Sequence, residues 1–245
     1  MSKLELNTKT LLKFLNLCSI NSSDKEVGVT ELLAEITPDK IQALGKNTST
    51  SIAYQGNMLG TFPELGQIGI DNLTILKNFI NGLTADTCTM KKTENKLTTE
   101  IGNVKFSAAL RNPKFITSCP DKEKYEKRRN DSLGNEFKIK SEDTKKILSY
   151  FKTIGANTFT FSGKDNSVEV HMSNQENEVT ITLAVDKPVT EFKSVRVGKL
   201  LYDVLLNLVE YDLTVSIKDS NAIYLKIADK EINFEYIVAP LVTKK

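Results

Sequence analysis

Residues 67–93, QIGIDNLTILKNFINGLTADTCTMKKT, and residues 194–220, SVRVGKLLYDVLLNLVEYDLTVSIKDS, decide the fold. Each reads as a short alternating strand, an apolar-striped helix and a second strand, at nearly equal spacing. In the first copy Asp71 is the expected helix cap and Gly82 lies near the helix end. Self-similarity at this length is the mark of an internal duplication, which has to be settled before single elements are read.

The two copies extend the same way on either side. LELN (4–7) precedes a helix from about Thr8 to Ser19, and FKIK (137–140) precedes one from Glu142 to Ile154. Ser141 is the expected N-cap of the latter, with Glu142 and Asp143 facing its positive end. Three alternating segments follow in the second half: NTFTFSGKD, SVEVHMS and EVTITLAV. Their first-half counterparts, VGVTELLAEI, KIQALG and TSTSIAYQ, alternate less cleanly. Each half closes with two more strands, KLTTEIGN and VKFSAALR, then AIYLKIAD and INFEYIVA. The outline β-α-β₄-α-β₃, stated twice, predicts an α+β protein with antiparallel sheets and helices on one sheet face. The expected domains are 1–117 and 137–245. Residues 118–136, SCPDKEKYEKRRNDSLGNE, carry dense charge without apolar periodicity and read as a connector.

Composition excludes several classes. The chain has 245 residues, 40% hydrophobic and 26% charged, which fits folded domains and not disorder. No apolar run reaches the ~20 residues of a membrane helix, and the N-terminus lacks a signal-peptide stretch. Three cysteines (Cys18, Cys88, Cys119) without CxxC spacing argue for a reducing compartment. One histidine, His171, cannot supply a zinc site, and phosphate-loop, dinucleotide and hydrolase-elbow motifs are missing. The acids sit in polar stretches as surface groups. The expectation is a protein that is not an enzyme and needs no cofactor or metal. A net charge of +2 requires any nucleic-acid surface to be local.

The helices supply such a surface. Leu11, Leu12, Leu15 and Cys18 form a packing stripe, with Lys9, Lys13 and Asn16 opposite. Leu73, Leu76, Phe79, Ile80 and Leu83 are expected inward, with Thr74, Lys77, Asn78 and Asn81 outward. Ile147, Leu148, Phe151 and Ile154 pack, leaving Lys145, Lys146 and Lys152; in the last helix Lys199 is exposed near the start, preceded by Arg196. A lysine stripe alone is most often a solvated face. Four such faces in a duplicated protein suit phosphate contact without base reading.

These residues resemble a known family. The duplicated pattern, the opening LELNTKTLLKFLNLCSIN, the second-half start FKIKSEDTKKILSYFKTIGANTFTFSGKDNSVEV and the ending INFEYIVAPLV are similar to DNA sliding clamps of the PCNA type, including phage processivity clamps. The resemblance runs over nearly the whole chain. It implies a homotrimeric ring encircling double-stranded DNA, helices inside and sheets outside. The ring would tether a DNA polymerase and be opened by a clamp-loader ATPase. Lys9, Lys13, Lys77, Lys145, Lys146, Lys152, Arg196 and Lys199 would face the DNA. Edge strands near 104–110 and 179–185 would pair between subunits. A partner peptide would dock at Leu44 in a first-half loop, Leu133, Ile237, Ala239 and Pro240, with Tyr125 at the border and Lys127, Arg128 and Arg129 steering an acidic segment. The near-neutral charge departs from the acidic balance of cellular clamps, and the short tail and the lysine- and asparagine-rich style lean towards a bacteriophage protein in the cytoplasm of an infected bacterium. The alternative is a β-rich ring-forming phage structural protein of the tail-tube type, which has no need of four basic helix faces.

Overall fold

The computed structural model describes residues 3–20, 28–164, 166–218 and 222–241. Asn21, Val27, Asp165, Asp219, Ser220 and Val242, from the stretches quoted above, lie outside the described residues. The chain divides into two compact units, Met1–Pro120 with Ala228–Phe234, and Asp121–Ile227 with Glu235–Lys245.

The first unit runs β1 (Lys3–Asn7), α1 (Thr8–Cys18), β2 (Leu32–Ile36), β3 (Lys40–Lys46), β4 (Ile52–Leu59), β5 (Gly66–Ile70), α2 (Leu73–Asn81), β6 (Thr87–Lys92), β7 (Lys96–Ile101) and β8 (Val104–Ala109). A single 3₁₀ turn, Pro113–Phe115, follows. Antiparallel pairing orders the strands β1-β6-β7-β8 and β5-β2-β3-β4. Period-2 alternation sends one face of each sheet inward: Leu4 and Leu6 stand opposite Met90 and Cys88, and all four are buried.

Asn7 begins α1 by accepting the Thr10 amide at 3.0 Å, after which Leu11, Phe14, Leu15 and Cys18 turn inward. Burying each large side chain contributes roughly 1.5–3 kcal/mol. Phe14 meets Phe234 edge-on with centroids 6.2 Å apart, and Tyr54 stacks on the same ring at 5.3 Å. Gly56 makes room for this cluster, since a Cβ there would lie 2.1 Å from the Phe234 ring.

The second unit begins with α3 (Lys122–Ser132), then β9 (Asn135–Ile139), α4 (Ser141–Thr153), β10 (Thr158–Lys164), β11 (Ser167–Ser173), β12 (Glu178–Ala184), β13 (Phe192–Gly198), α5 (Leu200–Leu208), β14 (Leu213–Ile217), β15 (Ile223–Ala228) and β16 (Ile232–Val238). Its sheets are ordered β12-β11-β10-β13 and β16-β15-β14-β9, with β16 belonging to this unit from Glu235 onward. Phe159 of β10, Phe151 of α4 and Tyr202 of α5 form one stack, at 4.2 and 5.0 Å. That stack shows which sheet face the helices cover.

Three local expectations are corrected. The cap of α2 is Asn72, which accepts the Ile75 amide at 3.1 Å, because Asp71 is held by Arg111 at 3.0 Å. Ser141 is the first residue of α4, not its cap; its hydroxyl donates to the Val209 carbonyl at 2.9 Å. The connector stretch is largely helical. Asp121 caps α3 by accepting the Lys124 amide at 3.0 Å, with Glu123 in the first turn and Arg129 in the last, where each suits the helix dipole.

Candidate nucleic-acid interface

In the first unit Lys9, Lys13 and Asn16 are exposed along the outward face of α1. Neither lysine has an ion-pair partner among the described residues. On α2 the outward face is nearly neutral, with Asn78 and Asn81 beside an Ile75 that is 51% exposed. Lys77 corrects the sequence expectation. It is 9% exposed, in line with Leu73, Leu76 and Ile80, and its ammonium donates to the Ser19 hydroxyl. Burial pulls its pKa below the ordinary lysine value, with nearby Cys18 opposing.

In the second unit Lys145 and Lys146 are 49% and 61% exposed on α4. Both are partly neutralised, Lys145 by Glu210 at 3.0 Å and Lys146 by Asp143 at 3.2 Å. Lys152, late in α4, and Lys199, at the N-cap of α5, are exposed without an ion-pair partner among the described residues. Arg196 is a second correction. It lies within β13 between the buried Val195 and Val197, so its side chain is on the sheet face away from α4 and α5. Reading Val195 and Val197 as a strand face was enough to place it there.

The residues expected to receive a partner peptide are dispersed among different environments. Leu44 is a half-buried residue of β3 opposite Leu33 and Gln55, not a loop residue. Leu133, at the C-cap of α3, is 39% exposed, and Ala239 and Pro240 are half-buried. Ile237 is fully buried and belongs to the core. Tyr125 is likewise buried, and burial pushes its phenol pKa well up. Arg129 is engaged rather than available for steering. Its Nε donates to Glu235 at 2.8 Å and its guanidinium lies 5.8 Å from the Tyr224 ring centroid.

Among the strands that end their sheets are β8 and β12. β8 is exposed or half-exposed at every position, and β12 at all but Leu183. The reactive side chains are subdued. Burial pushes the Cys88 thiol up to about 11 and raises Cys18 and Cys119 as well. His171 bonds Thr180 at 3.0 Å on the outer sheet face. No cluster of His, Cys, Asp and Glu among the described residues is arranged to hold a metal, and no helix there is long and apolar enough to cross a membrane.

This architecture is the sliding-clamp fold. Searches with the sequence match neither a family model nor a curated protein. Solved structures match over the whole chain. PCNA of A. fulgidus, in a structure with the C-terminal region of FEN-1 bound, has a TM-score of 0.79 at 12% identity, with 100% of each chain covered. The proliferating cellular nuclear antigen of Entamoeba histolytica has a TM-score of 0.77 at 13% identity, covering 99% of this chain and 100% of that one. The DNA polymerase III beta chain of Streptococcus pneumoniae has a TM-score of 0.75 at 16% identity, covering 99% of this chain and 65% of that one.

Proposed function

We propose that this chain is a DNA polymerase processivity factor, a ring-shaped sliding clamp that encircles duplex DNA without catalysing a reaction. The observation that carries the reading is the composition of the exposed helix faces. In each unit the face away from the sheets bears lysines, with Lys9 and Lys13 in the first and Lys145, Lys146, Lys152 and Lys199 in the second. Ammonium groups on long side chains hold phosphates without selecting bases. A ring retains DNA by topology, so a protein of net charge +2 needs only weak contacts.

The edges of β8 and β12 support closure into a homotrimer by head-to-tail pairing between subunits. The proposed partners are a DNA polymerase, whose peptide docks around Leu133, Ala239 and Pro240, and a clamp-loader ATPase. A bacteriophage origin, and with it the cytoplasm of an infected cell, accords with the lysine- and asparagine-rich sequence. Replacing Lys9, Lys13, Lys152 and Lys199 together with Ala tests the reading. Processive synthesis on a primed circular template is expected to fall while mass and melting temperature stay unchanged. Processivity equal to that of the unmodified protein refutes the DNA-facing assignment.

A further inference from the structure

The end of α4 carries a cleft of about 310 Å³ lined by Phe151, Lys152, Gly155, Ala156, Lys199 and Tyr202. Its size is at the low end of ligand pockets, ~300–1,000 Å³, so it holds one small group and not a length of chain. Its floor is apolar. Phe151 and Ala156 are buried there, and Tyr202 is the outermost ring of the Phe159–Phe151–Tyr202 stack. Its rim is cationic, and no carboxylate among the described residues neutralises Lys152 or Lys199.

The backbone removes the obstacle to an anion at this place. A helix C-terminus normally presents bare carbonyls and negative potential. Here Gly155, at φ +62°, turns the chain back on itself. The Ala156 amide then donates to the Phe151 carbonyl at 2.9 Å and the Gly155 amide to that of Lys152 at 3.2 Å. These carbonyls are satisfied internally, as in a Schellman end. What remains is an apolar floor beneath two unpaired ammonium groups.

We infer that this cleft is a discrete seat for one nucleotide of the DNA backbone, its phosphate between Lys152 and Lys199 and its deoxyribose against Ala156 and Tyr202. The inference rests on the DNA-encircling reading and sharpens it. Lys145 and Lys146 offer diffuse attraction, whereas Lys152 and Lys199 act on one phosphate as a pair.

The test is the salt dependence of binding to a short DNA duplex, followed by the amide signals of Gly155 and Ala156. The full-length protein is compared with Lys152→Ala, Lys199→Ala and the double variant, each checked for an unchanged melting temperature. The slope of log K against log salt counts phosphates neutralised, about 0.9 per phosphate. A shared phosphate predicts that the double variant loses no more slope than the larger of the two single losses. A double loss equal to the sum of the single losses shows independent contacts and overturns the seat, as does an unchanged slope in all three variants. Inorganic phosphate at matched ionic strength is expected to move the two amide signals less than duplex does, because it lacks the sugar; equal movement overturns the nucleotide assignment. If the unmodified protein shows no salt-dependent binding to the duplex, the seat fails; the DNA-encircling reading fails only if the protein is retained equally on circular and linearised DNA.

Discussion

The ammonium of Lys77, on α2, donates to the hydroxyl of Ser19 just beyond the end of α1. The lysine is therefore a structural residue of the first unit. No carboxylate among the described residues balances it, so burying its charge costs stability.

Lys77→Met is accordingly expected to leave DNA contact unchanged and to be neutral or about 1 kcal/mol stabilising in urea unfolding. A loss above about 2 kcal/mol contradicts this reading. The sign with pH is also fixed. Lys77 has a folded pKa below the ordinary lysine value, so between the two the unfolded chain binds more protons. Stability contributed at this site therefore rises with pH through that window, and Lys77→Met removes the rise.

Arg129 and Glu235 fasten α3 through a pair whose side chains are 29% and 16% exposed. Arg129→Met leaves the carboxylate without its partner and is expected to destabilise the second unit by about 2 kcal/mol, less than a fully buried pair because solvent screens it. The double variant with Glu235→Met recovers most of the loss. A double-variant loss equal to the sum of the two single losses shows that the pair itself contributes nothing.

The proposed ring closure through β8 has a defined point of attack. The Leu110 amide bonds the Asn95 carbonyl at 2.9 Å, so alternate amides, those of Ala108 and Phe106, point into the sheet. The Ser107 amide points to the free edge. Ser107→Pro removes an outward donor while sparing the inner ladder. Monomers are expected in sedimentation velocity, and an oligomer of unchanged mass counts against closure through β8.

The chain end supplies a test of partner docking. The Leu241 amide donates to the Arg196 carbonyl at 2.8 Å, laying the tail along β13. Truncation after Val238 removes Ala239 and Pro240 and is expected to weaken binding of the cognate polymerase's C-terminal peptide about tenfold or more, read by calorimetry. Unchanged affinity in an intact oligomer moves the docking site elsewhere.

Much of this was legible from spacing. The duplicated strand–helix–strand stretches, the alternation in SVEVHMS and the Leu11–Leu15–Cys18 stripe all appear as read. Lys77 reads as outward by residue type but not by position; 73, 76, 77 and 80 share one helical face, and Ile75 takes the outer one. Arg196 carried its own signal in the flanking valines. The α3 helix gave no periodicity because Tyr125 and Ser132 are its only buried side chains, although its capping Asp121 was visible. The choice of Asn72 over Asp71 depended on Arg111, forty residues away, and no local pattern reveals that.

Retention on circular against linearised DNA separates enclosure from ordinary binding. After loading onto a nicked plasmid, the protein should co-elute with the circle and be lost when the plasmid is cut, with a native mass of three 27.4 kDa chains. Equal retention on circular and linear DNA, or a chain that stays monomeric under loading conditions, contradicts the account.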